Sequence, residues 1–251
     1  MRSDPKDAQL SSYDFALPPE RVAQRPVEPR HSARLLAVDP VGQGPLPHAR
    51  HLSVWDLQHQ LQPGDLLVVN NTRVLRARLE ARRATGGAVE LLVLEPWQGS
   101  SQLPAAPGVW LCLAKPAKRL KPGDVITINA DGQSPLPLTV LGSDLATGGR
   151  IVQFPPHHAD AAALEPLLLR YGAIPLPPYI HQHDASDNDR YQTCYAEHPG
   201  SVAAPTAGLH LSDALLAAIR ARGVAIATTT LHVGLGTFRP VETEDLSQLQ
   251  L

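Results

Sequence analysis

From Asp65 to Phe154 the apolar residues come in short runs, LLVV, VLRARLE, AVELLVLE, VWLCLA, DVITIN, PLTVL and RIVQF, each closed by Gly, Pro, Asp or Ser. Short β-rich runs at even spacing, with no helical period between them, predict strands of a small antiparallel barrel or sandwich. Two of the junctions are alike, LQPGDLLVVNN at 61–71 and LKPGDVITINA at 120–130. In each, Pro then Gly supplies the φ pattern of a type II turn that leads into a strand. This is recurring turn chemistry rather than a repeat architecture.

The flanks carry a different pattern. PPERVAQ places prolines where a first helical turn tolerates them, Ser53 is positioned to cap VWDLQHQ, and Pro166 suits the first position of a helix PLLLRY that ends at Gly172. The clearest helix is SDALLAAIRAR at 212–222: Ser212 caps it, Leu215, Leu216 and Ile219 share a face, and Gly223 stops it. VAIATTTLHV, a β-branched strand, follows at once, which predicts a helix packed on a sheet. The β-rich middle therefore reads as an insertion in an α/β domain.

Composition narrows the class. The chain has 251 residues with a formal charge of −2, which excludes a globally basic nucleic-acid binder but leaves room for a local basic patch. The two cysteines, Cys112 and Cys194, form neither a disulfide framework nor a metal pattern and read as small buried hydrophobes in a reducing cytoplasm. No apolar run reaches membrane-spanning length, and the first twenty residues lack a signal-peptide core, so a soluble cytoplasmic protein is expected. Proline, 25 of 251 residues against a usual share of about 5%, predicts many stiff loops.

Candidate chemistry lies in two stretches. SVAAPTAGLHLS at 201–212 sets small residues, Thr206, Gly208 and His210 before the capped helix, where backbone amides can approach a ligand and a helix N-terminus favours anions. TLHVGLGTFRPV at 230–241 puts His232 at the carboxyl end of a strand, where α/β sheets place ligands, followed by Thr237 and Arg239. Its GLG is no dinucleotide fingerprint, because the third glycine is absent. Two imidazoles, which titrate around pH 6.5 when unperturbed, suit an acid–base pair, although 11 histidines make chance proximity an alternative. His157, His158, His181 and His183 have no matching Cys or carboxylate pattern, and no metal site is expected. Basic residues cluster at Arg73, Arg76, Arg78, Arg82 and Arg83, and again at Lys115, Lys118, Arg119 and Lys121. On a barrel surface these are either phosphate contacts or ordinary charged strand edges.

RPVEPRHSARLL (25–36), LLVVNNTRVLRARL (66–79), LAKPAKRLKPGD (113–124), IPLPPYI (174–180), RYQTCYA (190–196), GSVAAPTAGLHLS (200–212) and TLHVGLGTFRPV follow one another in a fixed order. This series resembles the signature blocks of the S-adenosylmethionine:tRNA ribosyltransferase-isomerase family of queuosine biosynthesis, from about residue 12 to the end. The resemblance implies an α/β domain over 1–65 and 156–251, interrupted by a small antiparallel β-barrel over 66–155. It implies transfer of the ribosyl part of S-adenosylmethionine to an aminomethyl-deazaguanine at the tRNA wobble position, giving epoxyqueuosine tRNA, adenine and methionine. S-adenosylmethionine is then a consumed substrate, tRNA the macromolecular partner, no cofactor is needed, and the complete protein is a monomer.

With that family in view, His210, His232 and Thr206 are the expected catalytic residues. Asn70, Asn71, Arg73, Tyr179, Arg190, Tyr191, Gly208, Thr237 and Arg239 are expected at the substrate, and Arg76, Lys115 and Lys118 at the tRNA backbone. The family pattern also has a G-T-T-x-x-R and an N-F-H-L-P stretch without counterpart here, which predicts an exposed sheet edge and apolar surface that aggregate or pair. A non-catalytic tRNA-binding relic is the alternative; a hydrolase or methyltransferase built on the same histidines would require the block order to be accidental.

Overall fold

The computed structural model describes residues 5–39, 48–181, 184–234, 236, 241 and 243–248. After short 3-10 helices, among them Pro19–Arg21 and Arg30–Ser32, strands β1 (Arg34–Asp39) and β2 (His48–Ser53) pair antiparallel. The PPERVAQ stretch thus forms only a single short 3-10 turn. At the expected cap, Asp56 Oδ2 accepts from both the Ser53 amide (2.8 Å) and hydroxyl (2.7 Å), which opens a 3-10 turn running into α1 (Leu57–Gln60).

Strands β3 (Leu66–Asn70) and β4 (Thr72–Val74) come next, followed by β5 (Arg78–Arg83), β6 (Ala88–Pro96), β7 (Val109–Lys115), β8 (Val125–Ile128), β9 (Leu136–Ser143) and β10 (Arg150–Gln153). The last six of these run in the order β5-β6-β7-β10-β9-β8, all antiparallel, and β8 pairs back with β5. A closed barrel results, so the open choice between barrel and sandwich is decided. Inward side chains at alternate positions, Leu79, Ala81, Leu91, Val93, Ile126, Ile128, Leu138 and Val140, fill it, with Trp110 and Phe154 among the largest buried groups. Both PGD junctions have the predicted geometry. Gly64 and Gly123 sit at φ 94° and 90°, and Asp65 and Asp124 each accept a 2.8 Å hydrogen bond from the backbone three residues earlier.

Beyond the barrel come α2 (Ala161–Tyr171), β11 (Gly172–Ala173), α3 (Asp187–Arg190), β12 (His198–Ser201), α4 (Asp213–Ala221) and β13 (Ala225–Thr229). Helix α2 starts earlier than expected: Asp160 caps it through the Ala163 amide at 2.8 Å, and Pro166 lies in its interior. A strong local cap decides where that helix begins, whereas proline alone marks only a permitted start. Helix α4 has its predicted form, with Ser212 Oγ accepting from the Leu215 amide at 3.2 Å.

The 66–74 stretch departs from the barrel grouping. β3 pairs in parallel with β13, and β4 in parallel with β12, so these strands belong with the elements after the barrel. A β-branched run signals a strand but not its partner, because pairing is decided by which distant segment returns alongside. The fold is therefore an α/β unit interrupted by an antiparallel barrel. One face of β3 and β13 packs Leu67, Val69 and Ile226, with Val224 just before β13, on Leu215, Leu216 and Ile219 of α4. The other face leaves Leu66 and Val68 more than half exposed.

Candidate functional site

A cavity of about 250 Å³ opens between the N-terminal segment at 23–26, the segment at 176–180, α3 and the 3-10 turn Thr206–His210. Tyr179, Arg190, Tyr191, Thr206 and His210, taken from three separate sequence blocks, all line it, together with Gln24, Arg25 and Asp187. Its walls are cross-tied. Gln24 donates to the Tyr179 carbonyl at 2.9 Å and accepts from the His181 amide at 2.8 Å, while Arg25 pairs with Asp184 at 2.6 Å and reaches Asp187 at 3.6 Å. Arg190 pairs with Glu28 and donates to the Val27 carbonyl at 3.0 Å. Burial lowers the pKa of its guanidinium, Glu28 raises it, and Arg30 lowers it again.

Arg30 acts behind the cavity. Its guanidinium donates to the carbonyls of Asp189 (2.8 Å), Gln192 (2.5 Å) and Leu209 (3.4 Å), which ties α3 to the Thr206–His210 turn. Gly208 is buried in that turn against the Tyr195 hydroxyl, where a Cβ would collide with it. Burial, with the neighbouring Cys194 thiol, pushes the Tyr195 phenol up to about 12 and burial also raises that of Tyr191. The Thr193 methyl also lies next to Gly208, and its hydroxyl is buried without a hydrogen-bond partner among the described residues.

A second polar group forms where β13 ends beside β3 and β12. Asn70 continues the ladder with its side chain, donating to the Leu231 carbonyl at 2.8 Å and accepting from the Leu231 and Thr72 amides at 3.1 Å. Buried Asn71 donates to Glu197 at 3.1 Å and accepts from the Thr230 hydroxyl at 2.7 Å. His232 Nδ1 lies 2.7 Å from Thr72 Oγ1, and its ring packs against Gly200. The Asn70 and Asn71 amides, expected at substrate, are thus engaged in holding these segments together. Arg73, likewise expected there, pairs with Glu165 of α2 at 3.0 Å.

His210 and His232 belong to these two different groups, and no hydrogen bond or ring contact joins them among the described residues. Gln192 bridges toward both: its side-chain amide accepts from the Val74 amide (2.9 Å) and donates to the Val74 carbonyl (3.0 Å), fastening β4 to the chain that follows α3. Thr237 and Arg239 lie outside the described residues.

Of the expected tRNA contacts, Lys115 and Lys118 are exposed on the barrel, whereas Arg76 is partly buried with a 3.5 Å contact to the Leu169 carbonyl. Arg150 shapes the basic loop beside Lys115 and Lys118 by donating to the carbonyls of Ala117, Leu120, Gly148 and Gly149. His158 has a structural role, its Nδ1 lying 2.7 Å from the Ala163 carbonyl; His183 lies outside the described residues. Cys112 is buried, as expected, but Cys194 is exposed, its thiol directed at the Leu211 carbonyl rather than packed as a core group.

Residues 10–251 match the family model described as queuosine biosynthesis protein. The chain belongs to this family. It is 64% identical over 251 residues to the S-adenosylmethionine:tRNA ribosyltransferase-isomerase of Synechococcus sp. (strain RCC307), covering 100% of this chain and 66% of that protein. The protein of the same name from Prochlorococcus marinus (strain MIT 9313) is 63% identical over 248 residues, covering 99% and 64%. A crystal structure of S-adenosylmethionine tRNA ribosyltransferase from Thermotoga maritima is 30% identical, covers 88% of this chain and 58% of that one, and superposes with a TM-score of 0.33. The chain thus spans 64% to 66% of the length of these curated relatives. Within this queuosine biosynthesis family member, sequence reasoning passed over Gln24, Arg30, Asp187, Gln192 and Tyr195. Arg30, Gln192 and Tyr195 stand inside the quoted blocks RPVEPRHSARLL and RYQTCYA, and a polar residue inside such a block was the available signal.

Proposed function

We propose that this chain takes part in transfer of the ribosyl moiety of S-adenosylmethionine to an aminomethyl-deazaguanine in the tRNA wobble position, with adenine and methionine released and epoxyqueuosine tRNA formed. The observation that carries this reading is the convergence of Tyr179, Arg190, Tyr191, Thr206 and His210 on one cavity, in a chain about two-thirds identical to proteins bearing that enzyme's name. At about 250 Å³ the cavity falls below the usual range of roughly 300–1,000 Å³ for sites that enclose a whole small ligand, and it suits a single base or ribosyl unit.

In this reading a proton leaves the ribose carbon beside the sulfonium, whose positive charge acidifies that C–H. Adenine departs, the amine of the tRNA base adds, and the epoxide closes as methionine leaves. His210, at the cavity, and His232 carry the proton transfers, with Thr206 and Thr237 orienting the ribose. The Thr72 contact fixes one ring nitrogen of His232. Arg239 holds the carboxylate or a phosphate. S-adenosylmethionine is consumed, so no cofactor is invoked, and the complete protein acts as a cytoplasmic monomer.

The test is to incubate the purified chain with S-adenosylmethionine and tRNA bearing the aminomethyl-deazaguanine, and to measure adenine against an unmodified-tRNA control. Adenine released only with modified tRNA supports the reaction. Binding of tRNA by folded chain without adenine release leaves the binding-relic reading in its place. His210→Ala or His232→Ala with undiminished turnover removes that residue from proton transfer.

A further inference from the structure

Beside the cavity lies a groove of about 510 Å³, floored by Arg78, Glu90 and Leu92 on the outer face of β5 and β6 and walled by residues 175–178, Ile180 and His181. Leu176, Pro177 and Ile180 line both spaces, so the groove and the cavity lie against opposite parts of one shared segment. Strand register extends it. Arg78 faces Leu92 and Leu92 faces Leu113 across β5, β6 and β7, while in the adjacent row Glu90 faces Lys115. Lys115 then leads into the exposed Lys118, Arg119 and Lys121, the loop whose carbonyls Arg150 gathers.

The charges along this path are uneven in a useful way. The Arg78 side chain has neither an ion pair nor a hydrogen-bond partner among the described residues, and the described ion pairs include none of the four cations of the loop. In a chain of formal charge −2, these cations are concentrated beyond an apolar floor of Leu92 and Leu113. An apolar platform flanked by free cations fits a single-stranded nucleotide, whose base lies on the apolar surface while its phosphates meet the cations. Glu90, which stands between Glu80 of β5 and Lys115 of β7 in its row, presents an acceptor suited to the amino edge of a base.

We propose that this groove receives the RNA nucleotide next to the base held in the cavity, with Arg78 on its phosphate and the 115–121 loop on the backbone beyond. The proposal rests on the tRNA reading of the cavity and deepens it. It also separates Arg78 from Arg82, which lies on the same face of β5 but outside the groove.

The experiment is binding of a fluorescent anticodon stem–loop to the full chain over a salt series. Arg78→Ala is expected to weaken binding about tenfold and to lower the slope of log K against log[salt] by about 0.7, one single-strand phosphate contact. Arg82→Ala is expected to change neither, and Arg78→Lys to restore the slope, since an ammonium serves as a point charge on phosphate. A photoreactive nucleotide adjacent to the target base is expected to crosslink to the 175–181 segment. An unchanged slope in folded Arg78→Ala, or crosslinks only elsewhere, overturns the groove while leaving the proposed reaction standing. Failure of the folded wild-type chain to bind the stem–loop overturns both. An Arg78-dependent slope without adenine release keeps the groove and removes the reaction.

Discussion

A single guanidinium illustrates how this chain builds its cavity. Arg30 contacts no cavity space itself, yet three carbonyls from α3, the residues after it and the Thr206–His210 turn converge on it. Arg30→Lys is expected to cost about 2 kcal/mol in urea unfolding, because an ammonium cannot match that fork and leaves carbonyls unpaired. Gly208 is the complementary case, since space rather than a bond is required. Gly208→Ala must displace the Tyr195 hydroxyl, and overpacking of this kind costs about 1–3 kcal/mol, read as a lowered thermal midpoint. The sequence made both positions visible as members of quoted blocks, but it could not say that Arg30 serves carbonyls or that Gly208 faces a phenol. Those facts depend on residues some 160 to 180 positions away for Arg30 and on Tyr195 for Gly208.

At the scale of elements, the helix with the cleanest sequence signal is also the one whose loss is most predictable. Ser212 both caps α4 and lies 2.7 Å from His31 Nδ1, so it joins the helix start to the 3-10 turn Arg30–Ser32. Ser212→Ala is expected to cost about 1–2 kcal/mol, measured by chemical denaturation, and more than Asp160→Ala, whose side chain has no second partner among the described residues. Leu215→Ala, deep between α4 and the β3–β13 pair, is expected to cost about 2–5 kcal/mol. Pro166 shows the limit of local reading: as a permitted first residue it suggested a helix start, but the Asp160 cap sets the boundary and α2 carries the proline in its interior.

For the whole molecule, pH acts through groups whose pKa the fold moves. Hydrogen bonds from the Ser53 side chain and backbone lower the pKa of the Asp56 carboxyl, and those from Ser186, aided by Arg25, do the same for Asp184. Both lie below the ordinary 3.8, so their contribution is present above that pH and disappears as pH falls through the lowered values. Tyr191 and Tyr195 act with the opposite sign. Their raised phenols favour the folded state below the ordinary 10.0, and that contribution is lost as pH rises toward about 12, where Tyr195 ionises. Urea midpoints measured against pH should therefore fall at both ends, and phenolate absorbance should show a late step near pH 12 that is absent in Tyr195→Phe. The half-bare face of β3, with Leu66 and Val68 exposed, predicts self-association that rises with protein concentration. Sedimentation of a monodisperse monomer at high concentration would count against it.

The sequence by itself determined the strands of the barrel, the two PGD turns, helix α4 with its cap and stop, and the ordered blocks that mark the family. Each is written in near neighbours: alternation sets a strand's inward face, proline and glycine set φ, and a hydroxyl three residues from an amide makes a cap. Only the tertiary structure decided that β3 and β4 pair with β13 and β12 rather than entering the barrel, that Tyr179, Arg190, Tyr191, Thr206 and His210 share one cavity, and that His232 stands with Thr72 in another group. The same holds for Asn70 and Asn71, which the resemblance puts at the substrate and whose side-chain amides donate to chain returning alongside. Long-range pairing is a competition among all segments that can reach a given edge or acceptor, and its outcome is fixed by the packed whole rather than by any local pattern.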